Sequence, residues 1–365
     1  MSFRIPWAIP EVHNEEMQNV LDSFQANWLT MGPKVAEFEK TMAEYVKATY
    51  AVAMSNGTVA LDIALKILGV GPSDEVIVPA MTYIATAAAI SYQHAMPVFV
   101  DIEPGSFNLD PAKIEAAISP RTRGIIFIDY GGNPADIDGI KAVAKKHNLF
   151  LLQDAAQSLG GVYKNEPLGA QTKISTMSFH MAKVMTCVEG GMVFTSDSKV
   201  AEELRIRRNQ GESSKYLHSH LGTNARMIDI CAAIGLEQFK KLPWMLKERR
   251  RVAERYNTNF SRSAKVAVMK CIRPNSCNAY FFYPILVAER DHLISLLRDA
   301  GIDTRVAYPM PVYQQQLYQS GKLPYRKTLC PIAEQFTARV VNLPIFPGLK
   351  DTQIDEIAEK ILSNI

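Results

Sequence analysis

The sequence predicts a mixed α/β protein, with a large domain built around a mostly parallel sheet and a smaller C-terminal α/β domain. Its 365 residues exceed the length of a typical single domain. Between residues 50 and 200, short runs of β-branched residues alternate with longer helical stretches, which is typical of βαβ units. Apolar residues make up 47% and charged residues 21%, so the chain has enough apolar side chains for a large core.

Seven short apolar runs are predicted to form a large sheet between helices. In chain order they are 51–54, 76–79, 98–101, 124–128, 150–153, 175–179 and 192–195. Longer stretches with helical periodicity lie between or directly after them, at 58–68, 83–92, 111–118, 136–147 and 199–208. Ligands of such open sheets bind beyond the carboxyl ends of the strands. Polar residues that follow each strand are therefore the candidate site residues.

The part of the chain after residue 226 is predicted to be helical at first and then to alternate again. Its charged stretch LKERRRVAERY is interpreted as a solvated helix face, because Glu248 and Glu254 interrupt the positive charge; a nucleic-acid patch is the alternative. The predicted elements are a helix-rich stretch at 227–260, a strand at 280–288, a helix at 292–300 and a final helix at 352–362.

A domain boundary is predicted near residues 244–248. The large domain then comprises residues 1–246, including an N-terminal arm at 1–14, and the small domain comprises residues 247–365.

The overall composition argues against several classes of protein. The net charge of +3 is too small to indicate nucleic-acid binding. Five cysteines without a CxxC pair argue against a disulfide framework and favour a reducing compartment. The N-terminus lacks the apolar stretch of a signal peptide, and no run of apolar residues is long enough to span a membrane. We therefore expect a cytoplasmic protein with no nucleic-acid or membrane partner and, because its histidines are scattered, no metal site.

The turn after the first predicted strand has the composition of a phosphate-binding site. Its residues are Ser55, Asn56, Gly57 and Thr58, and a helical run follows. A glycine allows close backbone approach, and a helix start offers free N–H groups and a positive dipole end. An ordinary helix N-cap is the alternative. The chain has neither a GxGxxG nor a P-loop motif, which disfavours a dinucleotide or nucleoside triphosphate site.

Two charged residues follow strands in apolar surroundings. Asp154 follows the strand at 150–153, where its carboxylate could hold a proton on a ring nitrogen; capping of the next turn is the alternative. Lys183 lies in SFHMAK, between a strand and the pair Gly190-Gly191, where a desolvated amine would be nucleophilic; a surface lysine is the alternative. A phosphorylated pyridine aldehyde would use Gly57-Thr58, Asp154 and Lys183 together.

Four segments resemble, in order, the motifs of the DegT/DnrJ/StrS aminotransferases. They are SNGTVAL, DAAQSLG, SFHMAK followed by EGGMVFT, and GTNARMIDICAAIG. The resemblance runs from WLTMGPKVAEFE at 28–39 to NLPIFPGL near the C-terminus. It implies a fold type I enzyme that depends on pyridoxal 5'-phosphate (PLP), which becomes pyridoxamine 5'-phosphate during turnover. The large domain would then be the PLP-binding domain.

The resemblance also implies roles for individual residues at the cofactor. Lys183 would be the catalytic residue, which attaches to the cofactor and then moves a proton. Asp154 would hold the pyridine nitrogen, Gln157 would lie near the ring hydroxyl, and Tyr83 would stack on the ring.

The remaining implied roles concern the phosphate and the partner subunit. Gly57, Thr58 and Ser178 match the phosphate-binding positions, and Asn224 matches a residue that reaches the neighbouring site of a homodimer. Two positions, Ala307 and Phe346, depart from the histidine found in many relatives, which puts the sugar specificity in doubt.

The implied reaction moves an amino group from L-glutamate to a nucleotide-linked 4-keto-6-deoxy sugar, in amino-sugar or O-antigen polysaccharide biosynthesis. Leu159 resembles the residue of the enzymes that aminate C-4, so C-4 is favoured, while C-3 or an inosose remains an alternative. A non-catalytic regulator on the same fold is disfavoured because Lys183 and Asp154 are both present. A cysteine desulfurase is disfavoured because Cys187 lies in an apolar run.

Overall fold

The computed structural model describes residues 3–365. Its helices are α1 (Asn14–Gln25), α2 (Pro33–Val46), α3 (Gly57–Ile67), α4 (Ile84–Tyr92), α5 (Pro111–Ile114), α6 (Ile137–Lys146), α7 (Ser198–Arg208), α8 (Asp229–Phe260), α9 (Arg290–Asp299), α10 (Gln316–Gln319), α11 (Pro331–Arg339) and α12 (Asp351–Leu362). Its strands are β1 (Tyr50–Met54), β2 (Glu75–Pro79), β3 (Met96–Val100), β4 (Thr122–Ile128), β5 (Phe150–Asp154), β6 (Val162–Tyr163), β7 (Glu166–Pro167), β8 (Ile174–Ser178), β9 (Gly191–Thr195), β10 (Glu212–Ser214), β11 (Leu217–His218), β12 (Ala267–Val268), β13 (Tyr283–Leu286), β14 (Arg326–Lys327) and β15 (Val340–Leu343).

The large sheet has the strand order β1-β9-β8-β5-β4-β2-β3-β14. Its strands pair in parallel, except for β9, which is antiparallel to both β1 and β8. The carboxyl ends of all the other strands therefore lie at one edge. All seven predicted strands are present, and the predicted mixed α/β fold with a mostly parallel sheet is confirmed. The two-residue β14 adds an eighth strand that the sequence does not predict.

Helices cover both faces of this sheet, which explains its apolar strands. β2 is buried along its whole length, as expected for a parallel strand between two helical layers. Four of the helices, α3, α5, α6 and α7, begin after a polar residue whose side chain caps the first turn. The side chain of Asn56 accepts a hydrogen bond from the N–H of Val59 at 2.9 Å and so starts α3 directly after β1.

The first two helices, which the sequence analysis does not predict, pack against α8. α1 does so through polar side chains. Glu16 accepts hydrogen bonds from Gln238 at 2.7 Å and from Lys241 at 2.8 Å, and Asn19 donates to the carbonyl of Ala233 at 2.8 Å. Three of the apolar residues of α1, Met17, Leu21 and Phe24, lie on its exposed face.

The C-terminal residues contribute to two cores. β12, β13 and β15 form an antiparallel sheet that packs with the second half of α8, α9 and α12. The stretch between them includes Tyr313 and Phe336, which join the core of the large sheet instead. α8 is continuous across residue 246, so the predicted domain boundary lies within a helix, and the division into two domains stays a prediction.

Candidate active site

The predicted site residues follow strands whose carboxyl ends share one edge of the large sheet. β5 ends at Asp154, β8 ends at Ser178, and Gly57 begins the helix that follows β1. Tyr83 lies in the turn between β2 and α4. β1, β8, β5 and β2 run in the same direction, so the topology brings these four positions to the same side of the sheet.

The loop that carries Lys183 joins the antiparallel strands β8 and β9. Its base is closed by the N–H of Phe179, which donates to the carbonyl of Gly190 at 2.8 Å. The N–H of Cys187 donates back to the carbonyl of Phe179 at 2.9 Å, and the N–H of Lys183 donates to the carbonyl of His180 at 2.9 Å. These bonds hold the loop against the sheet. Cys187 is fully buried, in agreement with its interpretation as a core thiol.

The carboxylate of Asp154 is buried and held from two sides. Its Oδ2 accepts a hydrogen bond from the hydroxyl of Thr86 at 2.7 Å, and its Oδ1 accepts one from the N–H of Ala156 at 3.1 Å. Burial raises the pKa of Asp154, whereas these two bonds and the charge of Lys183 lower it. The carboxylate is thus a rigid anionic group in a dry environment.

Lys183 is half-buried, and its environment favours the neutral amine. Desolvation lowers the pKa of Lys183 to about 8, although the charge of Asp154 raises it in part. The ammonium nitrogen lies 4.8 Å from the ring centroid of Phe281. A lysine with such a pKa has an appreciable fraction of nucleophilic amine near neutral pH. The structure therefore brings Asp154 and Lys183 close enough to influence each other's charge.

Gly57, Thr58 and Ser178 form a close-packed, partly exposed turn. A Cβ atom on Gly57 would lie 2.9 Å from the Cβ of Ser178, so a larger residue would not fit without a shift. A Cβ atom on Gly191 would lie 2.2 Å from the carbonyl oxygen of Asn56. The N–H groups of Gly57 and Thr58 are the first of α3 and have no acceptor within the helix. The turn therefore offers free N–H donors, and the absence of a side chain on Gly57 leaves room for an anionic group beside them.

The side chain of Gln157 connects the segment that follows β4 with the C-terminal part of the chain. Its Oε1 accepts a hydrogen bond from the N–H of Gly131 at 2.7 Å, and its Nε2 donates to the hydroxyl of Tyr308 at 2.9 Å. The ring of Tyr308 lies 6.1 Å from that of Tyr83, centroid to centroid. Tyr83 itself is exposed, so its ring face is free to contact a ligand.

Asn224 lies next to the segment that leads into the Gly57 turn, because the N–H of Ser55 donates to the carbonyl of the following residue, Ala225, at 2.8 Å. Its side chain is exposed, and its backbone forms a bridge with Asn209. Two nearby arginines are occupied by other contacts: Arg208 pairs with Glu39 and donates to the carbonyl of Ala53 at 2.8 Å, and Arg226 donates to Asn209 at 2.6 Å. Arg208 thus acts as a structural residue.

Three residues of the site are not predicted from the sequence. Thr86, Phe281 and Tyr308 contact Asp154, Lys183 and Gln157, respectively. Only Thr86 has a local signal, because it lies one helical turn after Thr82 at the start of a helix that follows β2. The other two come from the C-terminal part of the chain, and only the tertiary fold brings them here.

Next to Lys183 lies a cleft of about 270 Å³. The N-terminal arm lines it with Trp7 and Glu11, and later parts of the chain line it with Arg249 and Arg305. Neither arginine is predicted from the sequence to lie near the lysine.

A sequence model of the DegT/DnrJ/EryC1/StrS aminotransferase family matches residues 10–362. The chain belongs to this family. The predicted family and the predicted enzyme class, an aminotransferase, are thereby confirmed.

Members of the family with known names are similar over nearly their whole length. The chain is 36% identical to a GDP-perosamine synthase from Caulobacter vibrioides, over 97% of the chain and 96% of that protein. It is 34% identical to a dTDP-3-amino-3,4,6-trideoxy-alpha-D-glucose transaminase from Streptomyces venezuelae, over 98% of the chain and 95% of that protein.

Solved structures of the family have the same fold. S. venezuelae DesV, in complex with a ketimine intermediate, superposes with a TM-score of 0.94 at 33% identity, covering 99% of this chain and 98% of DesV. The PLP form of Streptococcus pneumoniae Spr1654 superposes with a TM-score of 0.91 at 29% identity, covering 98% of each chain. The same protein is also known in its PMP form, at a TM-score of 0.92 and 28% identity, covering 99% of this chain and 98% of that chain.

Within residues 3–365, no helix is both long and apolar enough to cross a membrane.

Proposed function

We propose that this family member is a PLP-dependent aminotransferase that moves an amino group from L-glutamate to a nucleotide-linked 4-keto-6-deoxy sugar. The observation that carries the proposal is the placement of Asp154 and Lys183. Asp154 ends β5, Lys183 lies on the loop after the neighbouring parallel strand β8, and the carboxylate is near enough to act on the charge of the lysine. One is an amine with a lowered pKa, and the other is a buried carboxylate. A regulator without chemistry would have no need for this costly arrangement of buried charges.

The residues present fit the three chemical parts of PLP. The crowded turn at Gly57, with its free helical N–H groups, suits the phosphate. Asp154 suits a protonated pyridine nitrogen, because a buried anion needs a positive partner. Lys183 suits the aldehyde, since its amine is the nucleophile that such a group requires. That one similar protein, Spr1654, has PLP and PMP forms supports the same cofactor here.

When bound, PLP supplies an electron sink that makes the proton on the amine-bearing carbon of the substrate acidic. Lys183 Nζ then accepts this proton from the α-carbon of the donor. In the second half of the cycle it delivers a proton to the sugar carbon that receives the amine. Asp154 stabilises positive charge on the ring nitrogen throughout, an electrostatic contribution on the order of several kcal/mol in a dry site. Tyr83 would orient the ring by stacking, and Gln157, which its bond to Tyr308 holds in place, would lie near the ring hydroxyl.

The choice of a nucleotide-linked sugar follows from the relatives. They are named for GDP-linked and dTDP-linked amino sugars. Amination at C-4 is proposed because Leu159, which is buried beside Gln157, resembles the residue of the C-4 enzymes. Amination at C-3 is the competing outcome.

We also propose that the active unit is a homodimer with shared sites. Asn224 is exposed in the single chain, although family resemblance assigns it to the cofactor of a neighbouring subunit. Large apolar side chains are exposed in the same chain, with Met181 and Val188 on the lysine loop and Ile228 just after Asn224. Burial of such side chains against a second copy would stabilise the assembly.

The test is a visible absorption spectrum of the protein with added PLP, before and after L-glutamate. We expect the band of the lysine-bound cofactor to form and then to be replaced by the band of the amino form. Lys183→Ala should abolish turnover, while the variant stays folded and binds PLP without covalent attachment. The matched control is Lys173→Ala, which removes an exposed lysine at the opposite end of the same hairpin.

Three results would contradict the proposal. Substantial turnover by Lys183→Ala would show that this lysine is not the catalytic residue. A cofactor band that L-glutamate leaves unchanged would reject the donor. Failure of the unaltered protein to form the band at all would favour the non-catalytic regulator.

A further inference from the structure

We infer that Arg305 binds a carboxylate of the amino-acid donor, in the cleft that Lys183 shares with the N-terminal arm. The inference rests on the proposed transamination, in which the amino-acid donor brings a carboxylate to the lysine and the 6-deoxy sugar acceptor has none. It assigns to this cleft a substrate subsite that is separate from the phosphate-binding turn at Gly57.

The cleft has a surplus of positive charge. Arg249 and Arg305 line it together with Lys183, whereas Glu11 is the acidic residue among its lining side chains. Arg249 is buried and forms no ion pair with any residue in the range 3–365; its Nη1 donates to the carbonyls of Tyr280 and Ile345, both at 3.1 Å. A buried guanidinium without a carboxylate raises the positive potential around it. An anion entering the cleft is therefore stabilised.

Arg305 is placed to make the direct contact. Its backbone is fixed by paired hydrogen bonds to Asn342, at 3.1 and 2.7 Å, next to the small sheet. Its guanidinium carbon lies 5.7 Å from the ring of Trp7, so the arm and the arginine form one wall. The side chain is 54% exposed, which leaves it accessible to a ligand.

The guanidinium of Arg305 has donors to spare. Its described contacts all use Nη1, which bonds the Oδ1 of Asp303 at 2.5 Å and the carbonyl of Thr304 at 3.1 Å. Asp303 thus holds one edge of the planar group, while Nη2 and Nε remain available for a carboxylate. Bidentate contacts of this kind are the geometry in which arginine recognises carboxylates.

The size of the cleft favours an amino acid over the diphosphate of the sugar substrate. Its volume of about 270 Å³ is enough for an amino acid, whereas a nucleotide-linked sugar would have to extend beyond the cleft. A five-carbon dicarboxylate with its amine toward Lys183 suits this space. We therefore assign the cleft to the donor.

The experiment titrates the PLP-loaded enzyme with L-glutamate and follows the conversion of the cofactor band. Arg305→Gln should raise the half-saturating glutamate concentration by about 10- to 100-fold, the effect of losing one charge-assisted pair. Arg305→Lys should lose less, because it keeps the charge. Arg4→Gln is the matched control: Arg4 is 53% exposed and also pairs with a carboxylate at 2.5 Å, that of Glu356. It should behave like the unaltered protein.

Two further measurements separate binding of the donor from a structural role and from binding of diphosphate. All variants should form the lysine-bound cofactor band to the same extent, which a damaged site would not. Inhibition by uridine diphosphate should be the same in Arg305→Gln and in the unaltered protein. Unchanged glutamate saturation in Arg305→Gln would overturn the inference and leave the proposed function intact. No response of the unaltered protein to glutamate would instead reject the proposed donor.

Discussion

The two sides of the Lys183 amine are built in different ways. On the sheet side, Asp154 and Ser178 are the last residues of neighbouring strands, and the hydroxyl of Thr86 bonds the buried carboxylate of Asp154. On the cleft side, Trp7 and Arg305 come from the N-terminal arm and the C-terminal part of the chain, and Arg305 is more than half exposed. One side is a rigid framework, and the other is a wall assembled from two distant segments.

This difference separates two tasks of the enzyme. The sheet side must hold one unchanging group, so its residues are locked by backbone pairing and buried hydrogen bonds. The cleft side must admit and release substrates, so it is built from accessible side chains. Substitutions on the sheet side should therefore affect the chemical step, whereas substitutions on the cleft side should affect substrate binding.

The largest effect is expected from Asp154→Asn. The amide keeps the size of the side chain but removes the charge, so turnover should fall on the order of 10²- to 10³-fold in steady-state assays. The matched control is Asp129→Asn, because Asp129 is equally buried at the end of β4 and accepts hydrogen bonds from Ser158 and Gln153. An equal loss of turnover in Asp129→Asn would contradict the prediction, because it would show that the loss does not depend on the charge of Asp154 in particular.

A smaller effect is expected in the pH dependence of cofactor attachment, because Asp154 on the sheet side changes the pKa of the Lys183 amine. Only the neutral amine of Lys183 attacks the aldehyde, and its pKa is lowered to about 8. Below this value the attachment rate, measured by stopped-flow absorbance, should rise about tenfold per pH unit, and above it the rate should level off. In Asp154→Asn the midpoint should move to lower pH, since the carboxylate raises the pKa of Lys183. A midpoint near that of a free lysine would contradict the desolvation of this side chain.

The smallest effect is expected at the phosphate-binding turn. Gly57→Ala should lower the free energy of unfolding of the cofactor-free protein by about 1–3 kcal/mol, because its Cβ would press on Ser178. The double variant Gly57→Ala/Ser178→Gly removes that contact and should recover most of the loss in denaturant titrations. If Gly57→Ala is as stable as the unaltered protein, the turn is looser than the packing indicates.

Most of the sheet side could be predicted from the sequence, because each of its residues follows a strand. Lys183 and Asp154 stand in apolar runs whose periodicity is visible locally. The cleft side could not be predicted this way. Arg305 is 122 residues from Lys183 in the numbering, and its neighbour Ala307 indicates only a link to the sugar substrate, not to the lysine.

α1 illustrates a second limit of pattern reasoning. Its apolar residues Met17, Leu21 and Phe24 are 53–55% exposed, whereas Glu16 and Asn19 are buried against α8. Here hydrogen bonds and an ion pair with Lys241, and not apolar contact, hold the helix in place. A rule that places apolar side chains inward therefore assigns the wrong face to this helix.

The short strand β14 has a consequence for the solubility of the molecule. Without it, β3 would be the last strand of the large sheet and would present unpaired backbone groups beside an apolar sequence, MPVFV. β14 pairs with β3 through the basic residues Arg326 and Lys327, and Arg326 also bonds Glu75 at 2.6 Å. Charged residues on a short outer strand discourage edge-to-edge association between chains. Loss of this segment would thus expose a template for aggregation at the end of the sheet opposite β1.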